Sequence, residues 1–132
     1  MHKKKLPRKI EIIAVDFDET LTEPSPPVDY TNLLRHEFPP TPPIREDAIE
    51  VIPQLAQVGY KLILWTNRDE EGVVEAKKML KKVKILKYFS AINSDLCIYR
   101  CRKVYADLYI DDKNRIDKHI DWHEIKKDLI EE

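Results

Sequence analysis

No apolar stretch in the chain is long enough to cross a bilayer, and no secretory leader is visible, so membrane spanning and export are not expected. There is almost no net charge. The 132 residues balance to −1, which removes any general attraction to nucleic acid or to an anionic membrane surface. Cysteine is scarce, with two residues, Cys97 and Cys101, four apart and without a second pair. A zinc half-site would lack partners, and a disulfide there would close only a short loop, so free thiols in a cytoplasmic chain are expected. What remains is a composition that is 42% hydrophobic and 36% charged, suited to one globular domain over 1–132. A basic cluster of Lys3, Lys4, Lys5, Arg8 and Lys9 lies within a tail over 1–9 that is expected to be solvated and frayed.

Along the chain, strand and helix patterns alternate. Ile12-Ile13-Ala14-Val15 is apolar without a period of two, the mark of a strand buried on both faces over about residues 10–16. Glu46 to Val58 carries Ala48, Ile49, Ile52, Leu55 and Ala56 at helical spacing, ended by Gly59, with Pro53 expected to kink it or delay its regular part. Lys61 to Thr66 is a second buried strand, and Glu70 to Lys82 a helix with a lysine-rich outer face. Further strands are expected at Tyr88 to Asn93 and Asp107 to Asp111, and a closing helix from Trp122 to Ile130 with Trp122, Ile125, Leu129 and Ile130 inward. This order predicts an α/β fold, a parallel sheet with helices on both faces and right-handed crossovers.

One stretch breaks the rhythm. Seven of the nine prolines lie between Pro24 and Pro43, inside an insertion over 23–45. Asp29 to Phe38 suits a short helix with Leu33, Leu34 and Phe38 on one side. The insertion is either a stiff surface excursion, or a lid or contact between subunits, since long insertions in compact domains tend to be functional.

The first strand ends in Asp16-Phe17-Asp18 and the fourth in Asp111-Asp112. In a parallel sheet both ends share the carboxyl edge, where open α/β folds bind ligands. Two unit charges about 4 Å apart repel by roughly 4 kcal/mol at an effective dielectric near 20. Such a group of carboxylates holds together around a cation or by keeping some members protonated, and oxygen-only ligands beside a phosphate favour Mg²⁺. Taken alone, Asp111 and Asp112 would simply open a turn. Thr66 ends the second strand, and Thr66-Asn67-Arg68-Asp69 leads into a helix whose free N–H groups suit an anion. Lys103 precedes the fourth strand and would bring a compact positive charge to the same edge.

Together these residues resemble the haloacid dehalogenase superfamily. Its first motif, Asp-x-Asp-x-Thr, is matched by Asp16-Phe17-Asp18-Glu19-Thr20; its second, a Ser or Thr after an apolar strand, by Thr66; its third, a Lys or Arg, by Lys103; and its fourth, an acidic pair after a strand, by Asp111-Asp112. Glu19 stands where glycine is common. The run from Lys103 to Asp112, followed by Asp121-Trp122, looks like a small capless subgroup of hydrolases.

The resemblance implies a three-layer Rossmann-like domain without a large cap, and a Mg²⁺-dependent phosphatase acting on a phosphate monoester. Asp16 would be the nucleophile that forms an aspartyl-phosphate, and Asp18 the general acid and then base. Thr66 and Lys103 would hold phosphoryl oxygens. Asp16, the Asp18 backbone, Asp111 and Asp112 would surround the Mg²⁺. Asn67, Arg68 and Asn114 sit beside the motifs, where they would touch substrate or face solvent. The same residues would serve a phosphotransferase or mutase, and a non-catalytic binding module of this fold is the rival from a different class. The expected substrate is a phosphorylated small molecule or macromolecule reaching an open site, with a homo-oligomer through 23–45 as one way of covering it.

Overall fold

The computed structural model describes residues 1–25, 40–94, 96, 104–114 and 119–132. Lys103, Cys97, Cys101, the expected helix from Asp29 to Phe38 and the side chain of Asn114 lie outside the described residues. The elements in chain order are β1 (His2–Lys3), β2 (Ile12–Val15), α1 (Glu46–Gln57), β3 (Lys61–Leu64), α2 (Glu70–Lys82), a 3-10 turn (Leu86–Tyr88), β4 (Phe89–Ile92), β5 (Leu108–Ile110), a second 3-10 turn (Asp112–Asn114), α3 (Trp122–Leu129) and β6 (Ile130–Glu131).

Four strands form a parallel sheet in the order β4-β3-β2-β5. Burial follows that order. In the central strands Ile13, Ala14, Val15, Leu62, Ile63 and Leu64 are all essentially inaccessible, so both pleat directions are removed from water. In β4 and β5, the edge strands, only Ile110 is buried. The unbroken apolar runs in the sequence become the inner strands, where the last three residues of each are buried whichever way they point. The fold is therefore a mixed α/β arrangement, with one core that runs from Ile13 and Leu62 through Ile52, Leu55 and Leu80 to Trp122.

Both longer helices end in the same device. Past α1, Gly59 (φ 109°) donates its N–H to the Ala56 carbonyl and Tyr60 to that of Leu55. Past α2, Lys84 (φ 66°) donates to Lys81 and Ile85 to Leu80. These are paired Schellman bonds that satisfy the last carbonyls of each helix. Pro53 does not delay the regular part of α1, which is continuously helical from Glu46 to Gln57. A mid-helix proline costs about 3 kcal/mol. Ala48, Val51, Ile52 and Leu55 are buried from the same helix, and each large apolar side chain returns about 1.5–3 kcal/mol.

The basic tail differs from expectation. His2 and Lys3 pair antiparallel with Glu131 and Ile130, the Lys4 N–H donates to the Leu129 carbonyl at 2.9 Å, and the Lys3 ammonium lies 5.1 Å from the centre of the Tyr60 ring. The start of the tail is thus docked as a strand. The Lys3 stem lies half-buried along the protein, and the Lys4 ammonium donates to the Lys127 carbonyl at 3.1 Å.

Candidate active site

Parallel register sets the site. Val15 aligns with Leu64 on one side and Ile110 on the other. The next residue, Asp16, donates its N–H to the Ile110 carbonyl, and Trp65 donates to that of Val15. Asp16, Thr66 and Asp111-Asp112 therefore leave the sheet at one edge. After Asp16 the chain turns sharply, with Thr20, Leu21 and Thr22 all donating to the Phe17 carbonyl. Glu19 in this turn has φ 59°, a left-handed conformation that favours glycine. It is held by its N–H to Thr22 Oγ1 at 2.9 Å, and its carboxylate accepts from the Ser25 N–H.

The carboxylates of Asp16, Asp111 and Asp112 converge, each offering an oxygen within 4.8 Å of the others. Burial, followed by the charges of Asp111 and Asp112, pushes the Asp16 carboxyl from 3.8 up to about 7. Asp112 is 2% exposed and is also shifted upward, first by burial and then by contact with Asp111, against the pull of Lys113. Its Oδ2 has no hydrogen-bond partner, and the Lys113 ammonium stands off at 3.9 Å. An orphaned, buried carboxylate oxygen facing two more carboxylates fits a hard divalent cation, which needs oxygen ligands and would restore the anions. Asp111 also accepts from the Lys113 N–H, so it opens the turn as well as facing the cluster.

Thr20 is the pivot that sequence reasoning left without a role. It is fully buried, donates through Oγ1 to Asp16 Oδ2 at 3.3 Å, and accepts at the same oxygen from the Asp112 N–H at 3.1 Å. Its carbonyl accepts from the Trp122 indole N–H at 2.9 Å. One threonine thus joins both acidic loops to the core. Its place in the Asp-x-Asp-x-Thr motif was the available signal. Asn93 was also missed. It follows β4 with φ 52°, and its Oδ1 accepts from the Thr66 N–H at 2.8 Å. Thr66 Oγ1 accepts from the Arg68 N–H, so its own proton is free to donate elsewhere.

The remaining expected residues separate. The Asp18 carboxylate is not among the converging three; it accepts from Arg68 through Nε at 2.9 Å and Nη2 at 2.7 Å. Asn67 is exposed at the edge beside Thr66. The helix N-terminus behind it is partly occupied, since Asp69 caps α2 by accepting from Gly72.

A second acidic group, Asp47, Asp121 and His123, is accounted for by architecture. Asp47 takes a two-pronged bond from Arg45 and accepts from the Trp122 N–H, Asp121 caps α3, and His123 pairs with Glu50.

No family model and no curated protein matches the chain. Among solved structures, a conserved protein from Bacteroides thetaiotaomicron is similar at 30% identity and a TM-score of 0.69, over 90% of this chain and 88% of that one.

Proposed function

We propose that this chain, which belongs to the same family as the conserved protein of Bacteroides thetaiotaomicron, is a Mg²⁺-dependent phosphatase that hydrolyses a phosphate monoester through an aspartyl-phosphate on Asp16. The observation that supports it most is the convergence of Asp16, Asp111 and Asp112 at the carboxyl edge, with the Asp16 carboxyl pushed up to about 7. A carboxylate triad this costly to ionise is built for a cation and a nucleophile rather than for stability.

Asp16, Asp111 and Asp112, with the Asp18 backbone carbonyl, would hold the Mg²⁺, which when bound neutralises charge and polarises a phosphoryl oxygen. Asp16 Oδ attacks phosphorus while the ester P–O bond breaks, and the leaving oxygen takes its proton from Asp18. Water then attacks phosphorus, Asp18 takes the water's proton, and the Asp16 O–P bond breaks to release inorganic phosphate. Thr20 holds the Asp16 carboxylate in orientation through its Oγ1–H. The free Thr66 hydroxyl proton would meet a phosphoryl oxygen, and Lys103 is proposed to neutralise another.

The same proposal carries the haloacid dehalogenase-like three-layer arrangement, a cytoplasmic location, and a phosphorylated small molecule or macromolecule as substrate. The insertion over 23–45 would shape access to the open site, within one chain or through a dimer. Among the described residues no helix is long and apolar enough to cross a membrane. A panel of phosphate esters assayed with Mg²⁺, for wild type and Asp16→Asn, tests the function. Mg²⁺-dependent phosphate release that disappears in Asp16→Asn is expected. Wild-type inactivity across the panel, or unchanged release by the variant, would overturn it.

A further inference from the structure

We propose that Arg68 is the positioning residue for Asp18, and that Thr41, at the end of the proline-rich insertion, fixes Arg68 in turn; this rests on the phosphatase reading. A guanidinium has five N–H donors in a rigid fork. In Arg68 each has an acceptor. Nε and Nη2 grip the two oxygens of Asp18 at 2.9 and 2.7 Å. Nη2 also donates to Thr41 Oγ1 at 3.1 Å. Nη1 donates to the Gly72 carbonyl at 3.2 Å and pairs with Glu75 at 3.4 Å. The ring of Phe17 packs against the guanidinium at 4.8 Å. No donor is left for a substrate phosphate, so Arg68 works through Asp18 and not as the substrate ligand that its place after Thr66-Asn67 suggested.

The surroundings are shaped for this arginine. Gly72 is one of two glycines in the chain, and a Cβ there would lie 2.9 Å from Arg68 Cβ and 3.3 Å from its Cδ. Any side chain at 72 would push the arginine out of line. Phe17, beneath the fork, lies between the two motif aspartates in sequence and is fully buried. A carboxylate has about four lone-pair sites, so the fork fixes the direction of both Asp18 oxygens while leaving lone-pair space turned away from Arg68. In the proposed reaction Asp18 gives a proton to the leaving oxygen as the P–O bond breaks and regains one from the attacking water.

A residue that only orients the acid matters when the leaving group needs a proton. An aryl oxyanion such as 4-nitrophenolate leaves unaided, whereas an alkoxide does not. The full-length protein with Mg²⁺ would be assayed on 4-nitrophenyl phosphate and on glycerol 2-phosphate, as wild type, Arg68→Lys and Thr41→Val, with circular dichroism verifying the fold. Lysine keeps the charge but loses the fork. Arg68→Lys is expected to lower kcat/KM on the alkyl ester at least about ten-fold more than on the aryl ester, within the range general acids contribute. Thr41→Val should shift the ratio in the same direction by a few-fold. Equal losses on both esters would overturn the proposal while leaving the phosphatase reading intact, whereas wild-type inactivity on these two and across the wider phosphate-ester panel would end both. Should Arg68→Lys fail to fold, Thr41→Val decides alone, and an unchanged aryl-to-alkyl ratio there overturns the proposal.

Discussion

Asp16→Asn should make the protein more stable while it abolishes turnover. The substitution keeps shape, and Thr20 can still donate to the retained oxygen. It removes the charge that the site resists. Carrying the Asp16 carboxyl from 3.8 to about 7 at 1.36 kcal/mol per pH unit sets a ceiling of about 4 kcal/mol. The site opens at a sheet edge, and water there screens the charges, so a gain of about 1–2 kcal/mol is expected. The sign follows from linkage. The folded state holds this proton more tightly than the unfolded chain, so Asp16 weakens the fold as pH rises from about 4 to about 7 and has no effect below that window. The variant's advantage is therefore full near pH 8 and vanishes near pH 4. For a domain of this size it corresponds to a midpoint raised by about 3–8 °C. Thermal melts in EDTA at both pH values measure it. A variant no more stable than wild type at pH 8, or equally favoured at both pH values, would refute the assignment of a strained carboxylate triad.

Mg²⁺ at millimolar concentration should raise the wild-type midpoint, as any ligand of the native state does, and Asp112→Asn should lose that rise; identical wild-type melts with EDTA and Mg²⁺ would count against the site. Trp122→Phe removes the indole donor to the Thr20 carbonyl and should destabilise by about 1–3 kcal/mol, seen as a lower urea midpoint, while also reducing phosphatase turnover. Lys84→Gly relieves the left-handed residue after α2 and should raise the urea midpoint by the equivalent of about 0.5–1 kcal/mol with turnover unchanged.

The inner strands were legible because complete burial leaves an unbroken apolar run, and Asp16, Asp111 and Asp112 were legible because parallel strands must deliver their ends to one edge. What stayed hidden depends on distance in the chain. The His2–Lys3 strand has no periodicity of its own and exists only because Ile130 and Glu131 offer an edge. Pro53 is tolerated through the packing of α1, which outweighs a local penalty. The role of Arg68 rests on acceptors at Asp18, Thr41, Gly72 and Glu75, and no spacing rule brings those four together. Asn93 required knowing that the end of β4 lies beside Thr66.

The neck of the insertion separates two kinds of change. Glu23 donates to the Pro43 carbonyl and Arg45 to that of Leu21, while Thr22 and Ile44 bridge between them. The chain that departs after the Asp16 turn is thus tied off where it returns, before α1 begins. Closing a loop twice as long costs only about 0.6 kcal/mol more. Beyond the neck, a longer, shorter or exchanged excursion would cost the sheet below little, and under the proposed phosphatase reading substrate preference would change there while the carboxylates stay in place. Thr41 is the exception, since it sits beside the tie and reaches Arg68. An exchange that spares it would carry a new surface onto an unaltered acid, whereas one that removes it would trade specificity against rate.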